Sequence, residues 1–207
     1  MFAKLIKKIA LDAALEVFYQ ERELTETQKI LMSPDRSPNF RGAREMGVGA
    51  NGGGFNALMQ KLTAGGYATA FVVGEDLIGA NGDSEKIRAA LQKLSFLVVQ
   101  DTRMTETAKL AHVVLPAAHF GEKEGTYTNR AGRVQRLVAA VIAPEGALQD
   151  SEIFLRLLDG AGAAQAYATP AEIFAAITHE VAAYQGLDYD SIGALGTELA
   201  SAGGAVS

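Results

Sequence analysis

The apolar positions of this chain follow two different spacings. Residues 68–73 (ATAFVV), 96–99 (FLVV) and 113–115 (VVL) are short, nearly continuous apolar runs without alternation. A strand covered on both faces reads this way, which points to a parallel sheet between helix layers. Between the runs the spacing becomes helical. Ile87, Ala90, Leu91 and Leu94 share one face behind Ser84, a residue type that caps helices, and a short helix follows over 105–110. Strand, helix, strand, helix, strand with short links predicts an α/β fold, a doubly wound, mainly parallel sheet. A helix is also predicted over 55–63, stopped by Gly65 and Gly66, and a short buried strand over 30–33, closed by Pro34.

The flanks complete the outline. Phe2, Leu5, Ile6, Ile9, Ala13 and Val17 step by three and four, so residues 2–20 read as an amphipathic helix. Lys4, Lys7 and Lys8 imitate a signal peptide, but Asp12 and Glu16 interrupt the apolar part and no small-residue cleavage site follows. Such a helix packs on a core or a partner, or lies on a membrane surface. Residues 33–50, with two prolines, three glycines and three arginines, form a long loop. Residues 134–142 read as extended. A helix capped by Asp150 or Ser151 runs through Leu158, with Ile153, Phe154 and Leu157 inward. Thr169, Pro170 and Glu172 start another, with Ile173, Phe174, Ile177, Val181 and Tyr184 buried. The tail from Ala194 is small and polar and is expected to fray. The expected organisation is residues 1–28 as helix and linker, 29–160 as the α/β domain, and 161–207 as linker, C-terminal helix and tail.

Composition narrows function mainly by exclusion. Hydrophobic residues make up 48% of the 207, enough for a core in one domain. A net charge of −5 and a pI near 5.3 leave no basic field for nucleic acid. With no cysteine, disulfides, thiolate metal sites, iron–sulfur ligation and cysteine nucleophiles are out. No apolar run approaches the ~18 residues of a membrane span.

Ligands of a doubly wound sheet bind beyond the carboxyl ends of its strands. Three segments land there. Gly74, Glu75 and Asp76 follow the first run, with carboxylates suited to ribose hydroxyls. Gln100, Asp101 and Thr102 follow the second, where Asp101 suits a sugar or a guanine-type edge. Residues 116–128 follow the third, with Gly121, Gly125, Thr126 and Thr128 able to approach a phosphate and Arg133 to supply charge. The same residues are also ordinary turn formers. No catalytic set or metal site is expected: residues 74–82 (GEDLIGANG) match neither a Walker loop nor GxGxxG. His112 and His119 are not at helical metal spacing. His119 beside Glu122 is a loop histidine or, less readily, a ligand or proton shuttle. Arg41, Arg44 and Glu45 either contact phosphate or pin their loop by salt bridges.

Residues 96–135 carry a family resemblance. TETAKLAHVVLP (105–116), EKEGTYTN (122–129) and GRVQ (132–135) resemble the molybdopterin oxidoreductase family, as do NFRGAREMGV (39–48) and the strand ending in Gly74, Glu75 and Asp76. Within it the text is most similar to the C-terminal part of the large iron–sulfur subunit of NADH-quinone oxidoreductase, respiratory complex I. The resemblance covers residues from about 30 to 193. It implies a Rossmann-like half of the family's α/β domain with a C-terminal helical extension. It also implies that Gly74, Glu75, Asp76, Asp101, Thr105, Glu106, Thr107, Gly125, Thr126, Asn129 and Arg133 lie near a molybdopterin guanine dinucleotide. His112 stands where the family pattern has Asp, which implies loss of an acceptor beside the nucleotide. The iron–sulfur domains and the opposing half of the cofactor region have no counterpart in this text. The expectation is therefore a structural and interaction module of a respiratory peripheral arm, cytoplasmic and peripheral to the inner membrane through a complex. It would be non-catalytic alone, with no cofactor of its own and a vestigial dinucleotide region. The alternative is half of a split, formate-dehydrogenase-like enzyme binding one dinucleotide. The partners are other respiratory subunits in the first case and the missing half in the second.

Overall fold

A computed structural model describes residues 25–27, 39–47 and 54–199. The expected helix over 2–20 and strand over 30–33 lie outside the described residues. Among the described residues, the helices with complete bounds begin with helix α1 (Phe40–Glu45) and helix α2 (Phe55–Thr63). Strand β1 (Thr69–Val73), helix α3 (Ser84–Leu91), strand β2 (Phe96–Asp101) and strand β3 (Val113–Pro116) follow, with a 3-10 turn at Ala108–Leu110 before β3. These strands form a parallel sheet in the order β1-β2-β3, with Val73 opposite Gln100 and Asp101 opposite Pro116. All three carboxyl ends therefore meet on one edge.

All three apolar runs form the predicted parallel strands, but only β2 is covered as fully as the pattern predicts. Leu97, Val98, Val99 and Gln100 are buried, whereas β1 and β3 are half-buried. The reason is position: β2 has a neighbour on each side. One face carries the main core, where Ile87, Leu91 and Leu94 pack with Met59, Leu62, Leu97 and Val99. Full burial of each large aliphatic contributes ~1.5–3 kcal/mol. The other face carries helix α4 (Asp150–Gly160), whose Phe154 ring lies 6.3 Å from that of Phe71.

A second sheet is antiparallel. Strand β4 (Gly125–Thr128), strand β5 (Arg133–Leu137) and strand β6 (Thr197–Glu198) lie in that order. Three expectations change here. The segment 116–128, expected as the turn beyond the third strand, ends in a strand of its own, because Thr126, Tyr127 and Thr128 are β-formers whose partners sit across a tight hairpin. The extended segment expected over 134–142 leaves the sheet after Leu137. And residues 197–198 do not fray: they pair with Arg133 and Val134, and Leu199 joins the core beneath.

That core gathers Val134, Tyr184 and Ile192 around Phe174 of helix α5 (Pro170–Glu180). Phe174 meets Tyr184 edge-on at 6.1 Å and 83°. The hydroxyls of Tyr184 and Thr128 share a buried hydrogen bond of 2.6 Å. The helix begins with the predicted capping box, Glu172 N donating to Thr169 Oγ1 at 3.2 Å and Thr169 N to Glu172 Oε2 at 2.9 Å. Two other caps differ from expectation. Asp83, not Ser84, caps α3, accepting from Lys86 N at 3.3 Å, while Ser84 Oγ donates to Ile78 O. Neither Asp150 nor Ser151 caps α4; Gln149 holds that place without a side-chain bond to the helix, its Oε1 accepting from Glu124 N at 2.8 Å instead. The carboxylate of Asp150 is engaged elsewhere.

Candidate functional site

The carboxyl edge of the parallel sheet holds a cleft of about 550 Å³ between the segments that follow β2 and β3. That is the size of a small-molecule site. Thr102, Arg103, His119, Glu122, Pro144 and Glu145 are among its walls. Of these, Arg103, Pro144 and Glu145 are not singled out by the sequence pattern. The signal for Arg103 is its place two residues beyond a strand's carboxyl end.

Next to the cleft the chain makes a double use of carboxylates. Asp76 is a fastening. Its Oδ1 accepts from Thr107 N at 3.1 Å and Thr107 Oγ1 at 2.8 Å, and Thr107 Oγ1 accepts in turn from Ile78 N at 3.1 Å. Thr107 is wholly buried, so these bonds lock the segment after β1 to the segment after β2. Gly74 starts the first of these segments with φ +64°, and a Cβ on Gly79 would stand 2.2 Å from Asp76 Oδ2. Both positions need glycine, one for the turn and one for the close approach. Burial pushes the Asp76 carboxyl up, but bonds from Thr107, Gly79 and Glu106 outweigh it and hold the group below its ordinary range. Glu75, one residue earlier, moves the other way. Burial raises it first, and the charges of Asp76 and Asp101 add to that. Asp101 folds its own turn, Oδ1 accepting from Thr102 N at 2.7 Å and Arg103 N at 3.2 Å. That turn aims Arg103 toward the cleft it lines.

The remaining expected residues divide into two groups. Thr105 Oγ1 accepts from Ala108 N at 3.1 Å and starts the 3-10 turn. Glu106 pairs with Lys109 at 2.5 Å and Arg88 at 3.4 Å on the surface, and the Lys109 bond holds its carboxyl low. So Glu75, Asp76, Asp101, Thr105, Glu106 and Thr107 gather at the carboxyl edge. Gly125, Thr126, Asn129 and Arg133 lie on the hairpin of the other sheet. Asn129 Oδ1 accepts from Arg133 N at 3.0 Å, closing the hairpin. Arg133 donates to Gly196 O at 3.1 Å and to Glu198 at 2.6 Å, holding β6 in place. No described bond joins this group to the carboxylates. Part of the expected loop is instead helix α1, within which Arg41 pairs with Glu45 at 3.3 Å, while Asn39 Oδ1 accepts from Thr128 N at 2.8 Å and ties the helix start to β4.

His112 stands elsewhere than the resemblance implied. It precedes β3, at the amino edge. Its Nδ1 accepts from Leu97 N at 3.0 Å, its N donates to Leu97 O at 2.8 Å, and its ring lies 5.6 Å from Phe96. Leu97 and Asp101 are four residues apart along β2, or ~13 Å. The histidine thus removes no acceptor from the carboxyl edge, and it supplies one to a strand amide. His119 serves its loop: its N donates to Glu122 Oε2 at 2.8 Å in a capping box. Among the described residues no group of three His, Asp or Glu could hold a metal ion.

One polar group stays unanswered. Gln100 is 1% exposed, and its Nε2 donates to Asp150 Oδ1 at 2.6 Å. Because a carboxylate only accepts, this bond fixes which end of the amide is oxygen. Gln100 Oε1 is buried without a partner. Asp150 Oδ2 takes the ammonium of Lys123, so the strand end, the helix start and the 120s loop share one network.

The molybdopterin oxidoreductase family model matches residues 13–159. The chain belongs to the molybdopterin oxidoreductase family. Within the family, it is 44% identical over 124 residues to an F420-dependent formate dehydrogenase 2 subunit alpha of Methanococcus maripaludis, covering 59% of this chain and 18% of that protein. It is 36% identical over 151 residues to an NADH-quinone oxidoreductase subunit of Rhizobium meliloti, covering 73% of this chain and 18% of that one. The branch order expected from sequence is thus reversed in identity. Acetylene hydratase from Pelobacter acetylenicus shares the fold over 66% of this chain and 19% of its own, with a TM-score of 0.53 at 17% identity. The chain spans about a fifth of the length of these proteins. Among its described residues no helix is long and apolar enough to cross a membrane.

Proposed function

We propose that this chain is the part of a formate-dehydrogenase-like molybdopterin oxidoreductase that holds one guanine dinucleotide end of the cofactor. The single observation that carries the reading is the cleft at the carboxyl edge, walled by Thr102 and Arg103 immediately after Asp101, with Glu75 close enough to Asp101 for their charges to interact. These groups suit a guanine nucleotide. Carboxylates accept from its N–H edge and ribose hydroxyls, and a guanidinium meets its carbonyl or phosphate. When bound, the cofactor supplies the redox chemistry. The chain's own residues bind and orient: Thr107 and Asp76 hold the floor, Glu75 and Asp101 accept, and Arg103 neutralises. Gly125, Thr126, Asn129 and Arg133 belong to the reading only as the scaffold that carries the 120s loop.

The place of His112 at the amino edge supports this reading, because the histidine takes no acceptor away from the cleft. A second reading, a non-catalytic frame in the peripheral arm of an NADH-quinone oxidoreductase, rests on how many motif groups are spent internally, above all Asp76 with Thr107. The separating experiment is purification of the chain in its native assembly, heat denaturation, and chromatography of the supernatant. A guanine nucleotide at near one per chain is expected, falling at least tenfold in Asp101→Asn. A supernatant without nucleotide overturns the first reading and leaves the frame.

A further inference from the structure

The walls of the cleft come from three stretches of chain, and one carboxylate is tied to all three. Arg103 belongs to the segment after β2, His119 and Glu122 to the turn after β3, and Glu145 to the segment before α4. Asp150 is the first residue of α4. Its Oδ1 accepts from Gln100 Nε2 at 2.6 Å, and its Oδ2 takes the ammonium of Lys123. Gln100 directly precedes Asp101, and Lys123 directly follows Glu122. Each oxygen of Asp150 therefore holds the chain neighbour of a cleft residue.

The turn that carries His119 and Glu122 is fixed at both ends by the stretch leading into α4. Before it, Ala118 N donates to Leu148 O at 2.8 Å. After it, Lys123 meets Asp150, and Glu124 N donates to Gln149 Oε1 at 2.8 Å. Within it, His119 N donates to Glu122 Oε2 at 2.8 Å, so the turn is held as a unit. Among the described residues Asp150 is the sole side-chain partner of both Gln100 and Lys123. The Lys123 side chain is 18% exposed, so salt screens this pair less than an open surface pair. A carboxylate offers two acceptor oxygens, and here each has its own donor.

We propose that Asp150 is a positioning residue of the cleft: through Gln100 and Lys123 it sets the wall carrying Glu122 against the strand end carrying Asp101. Asp150 is not itself a wall of the cleft, and it acts only through these two neighbours. The proposal rests on the reading of the cleft as a nucleotide site. It adds that the shape of that site depends on an ion pair outside its walls. A binding site loses affinity when the groups supporting its walls are loosened, even with every contacting residue kept. Asparagine at this position would have one acceptor oxygen, enough for Gln100 or for Lys123 but not for each through its own oxygen.

The test compares Asp150→Asn, Lys123→Met and the two together, in the full chain within its native assembly. Guanine nucleotide retained per chain should fall about tenfold in each single variant and no further in the pair, because both break one link. Phe174→Leu, in the core beneath the other sheet, controls for stability: it should lower the urea midpoint and keep the nucleotide. Wild-type retention in Asp150→Asn, or an equal loss in Phe174→Leu, overturns the proposal. Because the chain has no cysteine, a second readout needs no ligand. Nitroxide labels on Thr102→Cys and Phe120→Cys report the distance between the segment after β2 and the turn after β3. The distribution should be narrow with Asp150 in place and broaden in Asp150→Asn but not in Phe174→Leu; an unchanged distribution overturns the proposal. If the wild-type chain yields no nucleotide, the cofactor reading falls and the label distances still decide the positioning.

Discussion

Thr107→Val is the perturbation that tests the frame of the site most directly. Valine has the shape of threonine, so packing at this wholly buried position is kept and only the hydroxyl is lost. Two bonds go with it: the donation to Asp76 Oδ1 at 2.8 Å and the acceptance from Ile78 N at 3.1 Å. The first is charge-assisted, worth ~1.5–3 kcal/mol, and the second leaves a buried amide unanswered at ~1–3 kcal/mol. Asp76 is only half-buried and keeps the bond from Thr107 N, so its share falls at the low end. The expected loss is about 3 kcal/mol in urea unfolding. Thr107→Ser keeps both bonds and removes a methyl, for a loss of ~1 kcal/mol. The pH dependence is a second readout. The Asp76 carboxyl is held below its ordinary value of 3.8, so its bonds stabilise the fold above 3.8 and are lost as pH falls through the lower folded value. In Thr107→Val that acid limb moves to higher pH; in Thr107→Ser it stays. A valine variant as stable as the serine variant, or one with an unchanged acid limb, refutes the fastening.

Gly79→Ala drives a methyl to 2.2 Å from Asp76 Oδ2 and should cost ~1–3 kcal/mol by thermal unfolding, with the loss shrinking in a Thr107→Val background if the two act on one contact. His112→Asp keeps an acceptor for Leu97 N, so nucleotide recovery should match wild type, whereas His112→Leu should lose ~1–2 kcal/mol in urea. Glu75→Gln removes a carboxyl raised by burial and by its neighbours Asp76 and Asp101. A raised carboxyl favours the protonated fold, so wild-type stability declines as pH rises from the ordinary 4.5 through the folded value. The Gln variant should therefore unfold at equal or higher urea than wild type at pH 7, and a variant that unfolds at lower urea than wild type at pH 7 contradicts it.

The amount of fold legible in the chain tracks how local the causes are. The start of α5 is readable because Thr169, Pro170 and Glu172 satisfy its first amides among themselves. The central run 96–99 is readable because burial on both faces leaves no alternation to misread. Strand β4 is not, since its partner lies across a hairpin and its threonines look like loop residues beside Gly121, Glu122 and Glu124. Nor is β6, because a two-residue strand exists only through Arg133 and Val134, more than sixty positions away. Glu75, Asp76 and Asp101 follow from strand direction, whereas Thr105, Glu106 and Thr107 are reached only through the family resemblance. His112 is misplaced when a family position is equated with a site position. In a parallel sheet the residue before a strand lies at the opposite edge from the residue after it, and His112 directly precedes β3. Arg103 escapes notice because a lone arginine in a turn carries no pattern; only the cleft sets it apart.

The opposite shifts of Glu75 and Asp76 bear on what the site can do. They are adjacent, yet one is drawn toward the neutral form and the other toward the anion. The difference lies in partners. Asp76 has the bonds from Thr107, Gly79 and Glu106; Glu75 has burial and two like charges. A carboxyl in that state is released by any cation or N–H edge that reaches it, because the incoming group supplies what Thr107 supplies to Asp76. Catalysis would need a nucleophile or a base beside it, and no described contact brings His119 or a hydroxyl to Glu75. Its raised carboxyl is therefore better matched to recognition. Asp76 holds the edge in shape, and on the proposed cofactor reading Glu75, with Asp101 and Arg103, is the group left to meet the nucleotide.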